Sequence, residues 1–140
     1  MTKHCVGFAF DAQGKHIVLI RKNRPAWQRG LLNGVGGHSE ENESPHAAQA
    51  REFKEETGIE SYASNWKEFA LLTGTGFELH CFSLFSNEIY YLADKTDEKL
   101  GVYSINELSS LSTIPNLQWL IPAAWDQHFN YSELFLRGNA

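Results

Sequence analysis

A chain of 140 residues has room for one domain with a sizeable core and too little for two. Its 42% hydrophobic and 21% charged residues exclude a disordered or fibrous class. The net charge of −5 and pI near 5.6 exclude a broad electrostatic grip on a nucleic-acid polymer, though a small anion bound locally is allowed. No apolar run is long enough to span a bilayer, and MTKHCVGFAF lacks the segments of a secretion signal, so the expectation is a cytoplasmic protein with no membrane partner. Cys5 and Cys81 sit in apolar surroundings without CxxC spacing and read as buried free thiols.

From the N-terminus, residues 4–10 (HCVGFAF) and 16–22 (HIVLIRK) are β-branched and aromatic runs, and Asp11 and Gly14 mark a turn between them, so a hairpin is predicted. Residues 23–42, rich in Gly, Asn and Arg, predict a long loop with a short strand around Leu32 to Val35; loops of this length in compact domains are usually functional. Ser44-Pro45 is a helix start and Gly58 a helix stop, giving a helix over 45–57. Strands are predicted at 66–74, 77–86, 88–93 and 100–105, and a second helix at 116–128, where Leu117, Leu120, Ile121 and Ala124 recur at helical spacing. The fold class is α/β, with strands predominating between two main helices in one domain over 1–140.

In the first helix Ala47, Ala50 and Phe53 fall on one side and are expected to face inward, while Glu52, Glu55 and Glu56 gather on the other. The C-terminal end of a helix is partially negative, so each acid in the last turn is unfavourable by roughly 0.3–1 kcal/mol. One reading is a solvated charged face. The other is a cradle for a hard, oxygen-seeking cation, whose charge reverses the local repulsion. Gly58 permits the left-handed closure that would let Ile59 pack back on Phe53. Arg51 stands four residues before Glu55 and can also reach back to Glu43. Gly34, Gly36 and Gly37 let a carbonyl or ligand come close.

Gly37, Glu43, Arg51-Glu52-Phe53, Glu55-Glu56 and Gly58-Ile59 agree, with spacing intact, with the signature of the Nudix (MutT-like) hydrolase superfamily; this stretch resembles it at every defined position. The flanking order of hairpin, strands and C-terminal helix is similar to that family's α/β/α sandwich around a mixed sheet. The resemblance implies hydrolysis of a nucleoside diphosphate linked to another moiety, with Mg²⁺, or Mn²⁺ in its place, bridging the pyrophosphate. It makes Glu52, Glu55 and Glu56 metal ligands, one of them serving as base through a bound water, and the Gly37 carbonyl a further ligand. Arg51 and Glu43 would orient the acids, and Phe53, Gly58 and Ile59 would support them. Some members use another acid from outside the signature; Glu98 is the candidate here and Asp97 its neighbour, the alternative being an exposed loop acid.

For the substrate, Arg21, Lys22, Arg24 and Arg29 supply positive charge beside the glycine loop, with Arg21 and Arg24 the candidates for phosphate. Asn33 in LLNGVGG matches the Asn of the WNGFGG stretch in relatives that clean oxidised purine nucleoside triphosphates; an amide suits a purine edge, and equally a turn before Gly. The Trp-Pro-Asp-Asp segment of those relatives has Ile114-Pro115-Asn116-Leu117 as its nearest counterpart, without the Trp and both acids. His38 follows the glycine pair and is a candidate phosphate contact. Trp119, like Trp27, offers a surface for stacking a base, or at its helical spacing belongs to the core. The expectation is a nucleoside triphosphate, an oxidised purine among the options, cleaved to a monophosphate. The alternatives are an ADP-ribose or other nucleotide-sugar pyrophosphatase, and from another class a non-catalytic nucleotide-binding module of the same fold. A homodimer is left open.

Overall fold

The strands form one mixed sheet, and its two faces are covered by the two helices. The computed structural model describes residues 1–133, so residues 134–140 of the expected domain lie outside the described residues. In chain order the elements are β1 (Thr2–Phe10), β2 (His16–Arg21), β3 (Leu32–Asn33), β4 (Val35–His38), α1 (Pro45–Thr57), β5 (Lys67–Gly74), β6 (Phe77–Phe85), β7 (Lys99–Ser104) and α2 (Leu117–Asn130). No helix among the described residues is long and apolar enough to cross a membrane.

β1 runs parallel to β6 along its whole length, and β5 pairs antiparallel with the far side of β6. The predicted hairpin forms, but β1 and β2 pair only near its closed end, Ala9 with Val18 and Phe10 with Ile17. Beyond that point the two strands part. β4 takes up the edge of β1 from Gly7 to His4, and β3 takes up Ile20 and Arg21 of β2, while β7 lines the other edge of β2. The glycine-rich loop therefore contributes two short strands, where one was expected, and wedges open a fork in the sheet.

Alternation along the strands separates the core into two layers. Val6, Phe8 and Phe10 of β1 and Ile17 and Leu19 of β2 join Leu117, Leu120, Ile121 and Ala124 of α2 on one face. Cys5, Ala9, Val18 and Ile20 join Ala48 and Phe53 of α1, with Ile59 and Trp66, on the other. Both cysteines are buried free thiols, and burial pushes Cys5 up to about 11 and Cys81 up to about 12.

α1 spans its expected range. Ser44 Oγ accepts the Ala47 N–H at 3.1 Å, and Gly58 closes the helix in the left-handed region at φ 79°. Its buried face differs from the expected one: Ala48, Gln49, Phe53 and Thr57 are buried, whereas Ala47 and Ala50 are only partly so. The helix is rotated from the purely apolar solution because it also lays Glu52 and Glu56 against the sheet. The strand expected at 88–93 is absent. Ser86 Oγ accepts the Glu88 N–H and starts a 3₁₀ helix, Asn87–Tyr91, whose Ile89 is buried and whose Tyr90 hydroxyl donates to Asp11. The apolar run supplies one core residue there, and capping chemistry decides the backbone.

Phe53 is fully buried and meets Trp66 edge-on, ring centroids 5.0 Å apart. Phe53→Ala is expected to lower stability by about 3–5 kcal/mol in urea unfolding, the usual cost of emptying an aromatic site in a core.

Candidate active site

The site is built where α1 crosses the fork, and Arg51 organises it. Its Nε and Nη2 bind the two oxygens of Glu43 at 2.8 and 3.0 Å, Nη1 donates to Glu52 at 3.1 Å and to Glu55 at 3.3 Å, and Nη2 also donates to the His38 carbonyl at 3.0 Å. The paired Glu43 carboxylate holds the guanidinium firmly charged, and Arg51 in turn keeps the Glu43 carboxyl below the usual range. Both Arg51 pairings expected from spacing are present.

The three acids at the helix end occupy different environments. Glu55 is exposed. Glu52 is largely buried against β4, where a Cβ on Gly37 would stand 2.5 Å from its Oε1; only glycine lets the carboxylate lie so close to that backbone. Burial raises the Glu52 carboxyl and repulsion from Glu55 adds to it, with Arg51 opposing. Burial pushes Glu56 up to about 7, and its Oε2 is buried without a hydrogen-bond partner. Lys22 opposes that shift, while Glu52, Glu98 and Glu55 add to it, so the fork brings Lys22 and Glu98 to the same field.

Glu98 is buried, which overturns its alternative reading as an exposed loop acid. Its Oε1 accepts from Lys22 Nζ at 3.0 Å and its Oε2 from the Asn23 N–H at 2.6 Å. Burial works against its charge, but the Asn23 and Lys22 hydrogen bonds outweigh it and hold the carboxyl below the usual range. Asp97 is exposed and paired with Arg24.

The remaining candidates are spread around the fork. Arg21 Nη1 donates to the Gly30 carbonyl at 2.8 Å and Arg29 Nε to the Asn23 carbonyl at 3.3 Å, so both bind their own loop. The ring of His38 lies 4.2 Å from that of His4. Asn33 Oδ1 accepts the N–H of the next residue, Gly34, at 2.8 Å, and Nδ2 makes a long contact to Gln28 at 3.3 Å. Trp119 is 46% exposed on α2, which removes it from the core, and Trp27 is exposed as well.

Sequence reading gave Asn116 no role. It stands at the cap position of α2, yet its side chain caps nothing and its Oδ1 is buried without a partner. Leu32 N–H donates to the Ser112 carbonyl and Ile114 N–H to the Leu32 carbonyl, both at 2.9 Å, so Asn33 and Asn116 spring from adjoining backbone. The available signal was its place in Ile114-Pro115-Asn116-Leu117, directly after Pro115 at a helix start.

For a divalent cation the donors fit in kind: anionic carboxylates, a backbone carbonyl, and an orphaned oxygen on Glu56. Among the described residues no three His, Cys, Asp or Glu side chains converge as a ready ligand set. Arg51 holds Glu52 and Glu55 instead. A cleft of about 800 Å³ lies along α1, lined by Arg51, Phe53, Lys54, Ile59, Tyr62 and Leu84 among others, and takes in none of the three acids.

No curated protein matches the chain. Among solved structures it is similar to a MutT from a study of Aliivibrio salmonicida and Vibrio cholerae, at 18% identity and TM-score 0.76, covering 90% of this chain and 98% of that one. It is also similar to the Escherichia coli ORF135 protein, at 24% identity and TM-score 0.65, covering 92% and 93% of the two chains. A MutT/nudix family protein from Enterococcus faecalis aligns at 20% identity and TM-score 0.59, over 74% of this chain and 42% of that one. These likenesses speak for the fold. The NUDIX domain model matches residues 3–130, nearly the whole described chain, and the chain belongs to the Nudix family of hydrolases acting on pyrophosphate bonds.

Proposed function

We propose that the chain hydrolyses a nucleoside triphosphate to a nucleoside monophosphate and pyrophosphate, with Mg²⁺ as its ion and Mn²⁺ as a substitute. Nudix hydrolases generally use a divalent metal. The observation that carries the reading is the Glu56 carboxyl, buried, unpartnered at Oε2 and pushed up to about 7, on the helix face that presses Glu52 on Gly37. A proton acceptor poised near neutral pH is what general-base hydrolysis requires.

In this reading Glu56 Oε2 takes the proton of the attacking water. Glu52, Glu55 and the Gly37 carbonyl are the donors for the ion, and Arg51 orients the first two through its hydrogen bonds. A bound divalent ion supplies neutralisation of the phosphate oxygens and a lowered pKa for water. Lys22, anchored on Glu98, directs a cation toward the phosphates. Glu98, with its proton held off by three donors, fixes Lys22 and the turn after β2 and is not the base. The amides of Asn33 and Asn116 face the base edge, and the unpartnered Asn116 Oδ1 supports a donor on that edge. Trp119 offers the stacking surface.

Glu56→Gln is expected to lower turnover of nucleoside triphosphates on the order of 10²-fold while the fold survives. Wild-type turnover in this variant, across canonical and oxidised triphosphates with Mg²⁺, would overturn the assignment. Chelation by EDTA should abolish pyrophosphate release, and added Mg²⁺ should restore it.

The same carboxyl predicts a stability signature. Its folded value of about 7 lies above the unfolded value near 4.5, so its contribution to stability is whole below about pH 4.5 and lost as pH rises toward 7. His4 and His128, pushed down by burial, change stability in the opposite direction near their ordinary value. The readout is therefore a difference: without divalent ions, Glu56→Gln should gain in Tm over wild type between about pH 5 and pH 8.

A further inference from the structure

Gln49 is fully buried on α1, one turn before Glu52 and Phe53. Its side chain makes one hydrogen bond, from Nε2 to the Val35 carbonyl at 2.8 Å, and its Oε1 is buried without a partner. A leucine would fill comparable space without burying an unpaired acceptor, so packing does not account for an amide here. The sheet makes room for it. Gly7, which pairs with Val35, has no Cβ, and one there would collide with the Gln49 amide.

Val35 is the first residue of β4 and His38 the last. Gln49 holds the carbonyl of the first, and Arg51 Nη2 holds the carbonyl of the last at 3.0 Å. α1 thus grips its neighbouring strand at both ends, and Gly37 lies between the grips with its backbone against the Glu52 carboxylate. β4 is already laced to β1 from Gly7 to His4, and the two bonds tie α1 to both ends of that paired strand, which sets where Gly37 falls along the helix.

We propose that Gln49 is a positioning residue of the metal site: by holding the Val35 carbonyl it sets the Gly37 carbonyl against Glu52, so that the two oxygen donors serve one ion. The inference rests on the metal-dependent reading above. It predicts that the amide matters for metal affinity and for the order of β4, and little for overall stability.

The test compares wild type with Gln49→Leu and with Gln49→Met, whose flexible side chain carries the test should the leucine fail to fold. Three quantities are read: Mn²⁺ binding by calorimetry, the Mg²⁺ concentration for half-maximal turnover set against kcat, and amide hydrogen exchange of residues 35–38 without metal. The variants should bind Mn²⁺ roughly 10-fold more weakly or worse, the scale on which groups that orient metal ligands act. They should need correspondingly more Mg²⁺ and exchange faster in β4, with Tm unchanged or raised. Wild-type Mn²⁺ affinity in the folded variants, or weakened affinity with unchanged exchange in β4, overturns the proposal. A wild type that binds no Mn²⁺ overturns the metal reading and this proposal together. A wild type that binds Mn²⁺ but cleaves no nucleotide overturns the proposed function alone, and the binding and exchange data still decide the role of Gln49.

Discussion

One guanidinium carries the candidate site. Arg51 gathers Glu43 ahead of the helix, Glu52 and Glu55 along it and the His38 carbonyl on the neighbouring strand. Without a cation at that point the three acids in the last turns of α1 would repel each other at the end of a helix already partially negative. Because Arg51 is itself partly buried, its attraction to these groups is screened less than that of a surface pair. The glycine strand, the helix start and the acids are thereby fixed relative to one another.

That clamp leaves Glu56 out. Arg51 reaches Glu52 and Glu55, while the Glu56 carboxyl lies in the shelter of the sheet with Lys22 as the opposing charge. Carboxylates gathered around one helix consequently hold their protons differently: Glu43, ahead of α1, below the usual range, and Glu56, in its last turn, pushed up to about 7. Environment separates groups of identical chemistry, and such separation is how a site assigns distinct roles to like residues.

Much of this was legible in the sequence because it is local. Ser44-Pro45 and Gly58 are backbone signals, and the helix between them begins and ends where they place it. The Arg51 pairings follow from spacing on a helix and a short reach back to Glu43. What escaped is what depends on distant strands. The inward face of α1 could not be read from its own periodicity, because a buried glutamine fills the gap left by Gly7, far earlier in the chain. Glu98 was singled out with an exposed loop acid as its alternative, and what decides between the two is distant: the turn after β2 donates two N–H groups to it. Asn116 stood only in the nearest counterpart of a segment it matches poorly, and its orphaned oxygen appears once β3 lies beside residues 112–114. The apolar run at 88–93 misled for the converse reason: a serine cap, a local feature, outweighed composition.

The fork between β1 and β2 has a consequence for how such a protein can change. The acids and Gly37 hang from the β1 arm through β4, whereas Asn33 and, across the Leu32 bridge, Asn116 hang from the β2 arm through β3. The two arms share only the short paired stem at Ala9–Phe10 and Val18–Ile17. In the proposed reading, substitutions on the β3 side retune which base is accepted and leave the Arg51 clamp as it is, so the bond-breaking apparatus is inherited intact while the appetite for substrate drifts.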